Sequence, residues 1–187
     1  MEPAEGMLGM AKSVGGDAGF AVGRAEALPF RDQSFGWLTA AGSLNYVGLE
    51  AFFGEARRVL DQEGRVLVYD FSPGRSFAGS AALDDWFTRF VERYPWKASE
   101  ALALDPERLH GLGMGFGVEA SEKFELGVPL SREFYVNYMM TESNVAYAVR
   151  RGVDEASIRG WVEQTLPETG WGPVLFRGYW AIMRVWN

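Results

Sequence analysis

The stretch VGRAEALPFRDQSFGWLTAAGSLNYV occupies residues 22–47, and FFGEARRVLDQEGRVLVYDF follows at 52–71. GFAVGR (19–24) reads as a short buried strand, followed by Pro29 and a turn at 31–34. FGWLTAAG (35–42) reads as a second strand, bounded by Asp32 and Gly42. LEAFFGEARRVL (49–60) is amphipathic: Phe52, Phe53, Ala56, Val59 and Leu60 share one face, and Glu55, Arg57 and Arg58 point towards water. Residues 61–64 turn the chain. RVLVYDF (65–71) is then a near-continuous apolar strand, of the kind a parallel sheet buries on both faces. Strand, helix and strand make a βαβ rhythm with a right-handed crossover.

Outward from this centre, Glu2 and Pro3 precede a helix carrying Met7, Leu8, Ala11 and Val14, which Gly15 and Gly16 end. Downstream, Leu83, Trp86, Phe87, Phe90, Val91 and Tyr94 form a helical stripe stopped by Pro95. Asp105 and Pro106 open another helix as cap and first residue, and the glycines of 111–117 end it. Residues 117–128 alternate like a strand. Ser131 and Asp154 cap two further helices, the second running to about Leu166, and VLFRGYWAIMRVW closes the chain as a strand at 174–186. The pattern is α/β throughout: one domain over 1–187, a sheet with helices on both faces and extra helices before the last strand.

Composition narrows the function. The 187 residues are 48% hydrophobic, enough for a sizeable core, and carry a formal net charge of −7. An acidic chain without a basic cluster suits neither nucleic acid nor an anionic membrane, which demand Lys and Arg. The chain has no cysteine, which excludes disulfides and thiolate metal sites and fits a cytoplasmic location. No metal site is expected. The first residues are not those of a signal peptide, and no apolar run is long enough to span a bilayer.

The order of short motifs carries more. Glu2-Pro3, Met7-Leu8, Ala25-Glu26-Ala27-Leu28-Pro29-Phe30, Ser34-Phe35 and Arg58-Val59-Leu60 follow one another, and their order and spacing together are specific. In this the first ~70 residues resemble the class I S-adenosylmethionine-dependent methyltransferases of the small-molecule branch. The resemblance implies a Rossmann-like fold with a mixed sheet and an antiparallel last strand, S-adenosylmethionine as cofactor, and a small-molecule acceptor. It also places the family's first strand and glycine-rich loop ahead of Glu2, so the chain reads as an N-terminally truncated form. Gly111-x-Gly113-x-Gly115 follows a helix and is in the wrong context for that loop. Arg24 and Gly36 depart from the family, which often has Asp at both positions.

The resemblance assigns cofactor contacts to Glu2, Pro3, Ala25, Glu26, Ser43, Leu44, Asn45 and Tyr46. Glu2 would accept both ribose hydroxyls, since a carboxylate offers paired acceptors to a vicinal diol; the plain alternative is a frayed terminal acid. Glu26 begins a loop whose backbone would face the adenine, or is a turn acid bonding nearby amides. The small residues from Gly42 follow a strand at its carboxyl end, where open α/β sheets bind ligands. Tyr46 would lie near the sulfonium, or is a rim aromatic. The sequence names no catalyst outright; the candidates are Asp70, His110 and Tyr138. Asp70 ends its strand and either orients an acceptor or caps the next turn. His110 is the only histidine, near a helix end where a cation suits the dipole. Tyr138 lies in a Tyr- and Met-rich stretch at 133–149, read as a helix lining an acceptor pocket or as ordinary packing. Segments 76–115 and 131–167 would form part of the acceptor side or a lid.

Two functions are therefore open: methyl transfer to a small organic acceptor, and a non-catalytic truncated fragment or binding module. A dehydrogenase is disfavoured, because the pattern at 25–30 does not suit it. With the family's central first strand ahead of Glu2, the strand at 35–41 would present an open edge. That edge would template a homodimer, or the segment 19–24 would shift to pair there, or 1–31 would be disordered. The chain alone is expected to bind the cofactor weakly or not at all, since backbone donors for its methionine end are missing.

Overall fold

The computed structural model describes residues 1–97 and 101–186. Strand β1 (Phe35–Ala41) pairs in parallel with β2 (Leu60–Phe71), Trp37 opposite Arg65 and Ala41 opposite Tyr69. Helix α2 (Leu49–Val59) is the crossover; Phe52, Phe53, Ala56 and Val59 are buried as the spacing predicts, Leu49 is buried with them, and Leu60, placed on the same face, is buried as the first residue of β2. Leu49, Phe52, Phe53 and Ala56 join Ala40, Val66 and Val68 in one core, with Ala181 and Met183 of β5 (Val174–Val185) and Leu109 of α4 (Pro106–His110). This core belongs to a unit made of Met1–Asp70, Ala101–Lys123 and Tyr179–Asn187.

Four sequence expectations change here. The turn at 61–64 survives inside a continuous strand: Phe35 faces Leu60 but Trp37 faces Arg65, so the intervening residues bulge, and Asp61 accepts a hydrogen bond from the Glu63 amide at 3.0 Å. Strand β2 is not buried on both faces. Val66 and Val68 are buried, whereas Leu67 and Tyr69 on the alternate face are only partly covered. Residues 19–24 form no strand, only an isolated parallel bridge between Glu2 and Val22 and an antiparallel one between Arg24 and Ala27. The segment has Gly19 and Gly23 and no neighbouring ladder long enough to fix it. Finally, α1 (Glu5–Val14) buries only Leu8 and leaves Met7, Met10 and Val14 exposed.

The strand order is β1-β2-β5-β3, with β4 (Phe116–Val128) pairing on β5. Strand β1 therefore ends the path. β3 (Ser76–Phe77) runs antiparallel to β5, with Ser76 opposite Leu175 and Phe77 opposite Val174. The fold is α/β with a mixed sheet, as the Rossmann-like reading requires.

The second unit comprises Phe71–Glu100 and Phe124–Gly178. It holds α3 (Ala82–Arg93), α5 (Arg132–Met140), α6 (Ser143–Arg150) and α7 (Glu155–Thr165) around their own core. Trp86 is completely buried, stacks on Phe90 at 5.2 Å and donates its indole N–H to Thr165 at 2.9 Å. The predicted caps act as caps: Ser131 accepts from the Phe134 amide at 3.0 Å and Asp154 from Ser157 at 2.9 Å. The stretch 133–149 is two helices, broken at Thr141 and Glu142, where Glu142 turns to extended backbone at φ −63°, ψ 143°. Among the described residues no helix is long and apolar enough to cross a membrane.

Candidate functional site

The carboxyl ends of β1 and β2 lie side by side because the two strands are parallel. The Gly42 amide donates to the Tyr69 carbonyl at 2.9 Å, extending the ladder by one residue, and the backbone then turns at φ +54°. Glycine fits here for two reasons. The conformation is left-handed, and a Cβ would lie 3.1 Å from Asp70 Oδ1. A short 3-10 turn, Leu44–Tyr46, follows; Leu44 is buried and anchors it, while Tyr46 stands 75% exposed. Asn45 donates its side-chain amide to Asp70 Oδ2 at 3.3 Å and its carbonyl accepts from the Leu102 amide at 2.8 Å. Five of the residues singled out from sequence thus converge: Ser43, Leu44, Asn45 and Tyr46 on one turn, and Asp70 beside it.

Glu26 serves a neighbouring turn. Its Oε1 accepts from the amide of Gly48, the residue that caps α2, at 3.1 Å. Backbone amides, its own and that of Gly48, hold its carboxyl below the usual carboxylate value, with help from Arg24 at 3.9 Å. Ala25, beside it, packs against the first unit's core. Glu2 sits where the bridge to Val22 puts it: its amide donates to the Ala21 carbonyl at 3.2 Å, its carbonyl accepts from Gly23 at 3.4 Å, and its Oε1 accepts from Ala4 at 2.9 Å. Pro3 is exposed between them. His110 is exposed at the end of α4, whose start is capped by Asp105 accepting from the Arg108 amide at 2.8 Å. Tyr138 belongs to the second unit, half-buried beside Tyr135 and Phe176.

Two features escaped the sequence reading. The first is Arg58, expected in water and found as a clamp. Its guanidinium bonds both carboxylate oxygens of Glu55 at 2.8 and 2.7 Å and Asp32 at 2.8 Å. It also bonds the carbonyls of Phe30 at 2.7 Å and Leu28 at 2.9 Å, while Glu55 accepts from the Leu28 amide at 2.7 Å. The loop leaves backbone groups that no strand satisfies, and one planar fork takes them. The Arg58 hydrogen bonds, then the Leu28 amide, hold the Glu55 carboxyl down at about 2 against the cost of burial. The recurrence of Leu28-Pro29-Phe30 with Arg58 as paired motifs was the available signal. The second is Tyr179 of β5, 7% exposed, whose hydroxyl has no hydrogen-bond partner among the described residues. Nothing in the alternation of β5 marks it.

A cavity of about 420 Å³ opens among Gln62, Glu63, Gly64, Arg65, Arg184 and Trp186. It lies at the opposite end of β2 from Asp70, so it is not the site built at the carboxyl edge.

Residues 1–68 match the protein family described as a methyltransferase domain. The fold is similar to that of a type II methyltransferase candidate from Anaeromyxobacter dehalogenans: 21% identity over 89% of this chain and 70% of the other, with a TM-score of 0.54. It is also similar to a methyltransferase candidate from Bacillus halodurans C-125, at 20% identity, 97% and 79% coverage and a TM-score of 0.50. No curated protein matches. The likeness to class I methyltransferases expected from the motifs is borne out, in sequence over residues 1–68 and in fold over most of the chain.

Proposed function

We propose that the protein transfers a methyl group from S-adenosylmethionine to a small organic acceptor at the carboxyl edge of β1 and β2. The observation that carries this reading is the junction of Gly42, Asn45 and Asp70, a backbone turn without a side chain beside an oriented carboxylate, with Gly42 and Asn45 inside the segment that matches the family. The residues fit the cofactor's chemistry: an acidic group at Glu2 for a diol, small residues from Gly42 for close backbone approach, and the aromatic Tyr46 for a cation. When bound, S-adenosylmethionine supplies a methyl group activated by the sulfonium. Asn45 holds the Asp70 carboxylate in one orientation, so that an acceptor bonded to it meets the turn at 42–46 from a fixed direction. The buried Leu44 keeps that turn from moving away. Because the rate comes from alignment and exclusion of water, no general catalyst is required of these side chains.

The test is a titration of the isotopically labelled chain with S-adenosylmethionine up to millimolar concentration, followed by amide NMR shifts. The result expected is weak binding with shifts concentrated at 24–27 and 42–48. Shifts that are absent, or scattered over the molecule, would overturn the reading and favour a non-catalytic binding module.

A further inference from the structure

Tyr179 is the anomaly of the first unit. Its hydroxyl is buried with nothing to bond among the described residues, although such a group costs stability. Strand β5 is hydrogen-bonded to β2 in the sheet order, and the ring packs in the core that includes Ala40, Leu44 and Val68. Those residues underlie the turn at 42–46. The backbone brings Asp70 close to Tyr179: the Ser72 amide donates to the Arg177 carbonyl at 2.7 Å, two residues from each, and Asp70 and Asp105 both act electrostatically on the hydroxyl. Burial, then Asp70 and Asp105, push the phenol up to about 12, so it stays neutral and keeps its proton.

We infer that the Tyr179 hydroxyl and the Asp70 carboxylate together anchor the acceptor, and that the acceptor is an amine. This rests on the methyl-transfer reading above. The choice of amine follows from charge. When a neutral amine attacks, its lone pair forms the N–C bond, the S–C bond breaks with its electron pair going to sulfur, and the positive charge passes from sulfonium to the methylated nitrogen. The surroundings carry a cation before and after the step, which two carboxylates favour. An alcohol acceptor would have to surrender its proton to a base during the step. An amine arrives as an ammonium ion, passes one proton to solvent before attack, and retains an N–H that the Tyr179 oxygen can accept. That hydrogen bond would satisfy the hydroxyl and turn the nitrogen lone pair.

Benzylamine and benzyl alcohol are suitable probes, being alike in shape and different in charge and basicity. Each is titrated into the labelled full chain and into Tyr179→Phe and Asp70→Asn, with amide shifts at 42–46 and 69–71 as the readout and thermal melting as a fold control. Benzylamine is expected to shift these amides and benzyl alcohol is not. Each variant should weaken the amine about tenfold, while Tyr179→Phe melts at the same temperature or higher because it removes only an unpaired hydroxyl. Equal responses to the two probes, or unchanged amine affinity in Tyr179→Phe, would overturn the inference. Loss of the S-adenosylmethionine shifts at 24–27 and 42–48 would instead count against the methyl-transfer reading, so the two failures are distinguishable.

Discussion

Replacing Glu55 by Gln keeps an acceptor for the Leu28 amide and removes the charge that Arg58 binds, which isolates the electrostatic part of the clamp. The carboxyl falls from its usual 4.5 to about 2 in the folded chain, and a gap of that size corresponds to ~3 kcal/mol at most. The side chain is 22% exposed, so screening brings the expected cost of Glu55→Gln at pH 7 down to about 1.5–2 kcal/mol. The sign is fixed by linkage. A carboxyl whose folded value is depressed contributes fully above 4.5, the unfolded value, and loses that contribution as pH falls through about 2. The stability difference between wild type and variant should therefore be constant from pH 7 to about 5. It should shrink to less than half by pH 3 and approach zero near pH 2. Urea denaturation read by circular dichroism at these pH values measures the difference, and exchange of the Leu28 amide gives a local readout. A difference that stays the same at pH 3 as at pH 7, or that grows, would refute the assignment of the clamp to an ionised Glu55.

Gly42→Ala should destabilise by about 1–2 kcal/mol, from a left-handed backbone and a new Cβ against Asp70, and should displace the carboxylate. Denaturation together with the amide shift of Asp70 checks both effects; a neutral variant with an unmoved Asp70 would show that the approach is not tight. Trp86→Ala should cost about 3–5 kcal/mol, through an emptied aromatic core and the loss of the indole bond to Thr165, whose hydroxyl keeps its own bond to the Trp161 carbonyl. Unfolding followed by fluorescence and by circular dichroism separately tests whether the loss falls on the second unit first.

Much of the fold was legible because its signals are local. The apolar spacing of α2 and α3, the alternation of β5 and the caps Asp105, Ser131 and Asp154 each act within one element. Residues 19–24 misled because Phe20, Ala21 and Val22 look strand-forming, whereas a strand exists only if a neighbour pairs with it along a ladder, and here there are only isolated bridges at Val22 and Arg24. The break between α5 and α6 was hidden because Thr141 and Glu142 are neither Gly nor Pro, so the periodicity ran past them. Of the site, the turn at 42–46 could be found from its position after a strand. The Arg58 clamp could not be found from a helical wheel, which shows Glu55 and Arg58 as polar and has no means of representing a loop lying over them. Tyr179 was invisible for a different reason: its meaning lies in a bond it does not make.

The clamp also bears on how substitutions in this segment should be scored. Arg58 takes acceptors from a helix neighbour and from the loop carbonyls of Leu28 and Phe30 with one flat group. Lysine has the same charge and a similar reach, but its ammonium is a point donor and cannot present a planar fork to them. A similarity matrix treats that exchange as mild. In this chain it would be a change of joint, with the loop at 28–30 released from the helix, and a variant library built on charge alone would sample it without registering the difference.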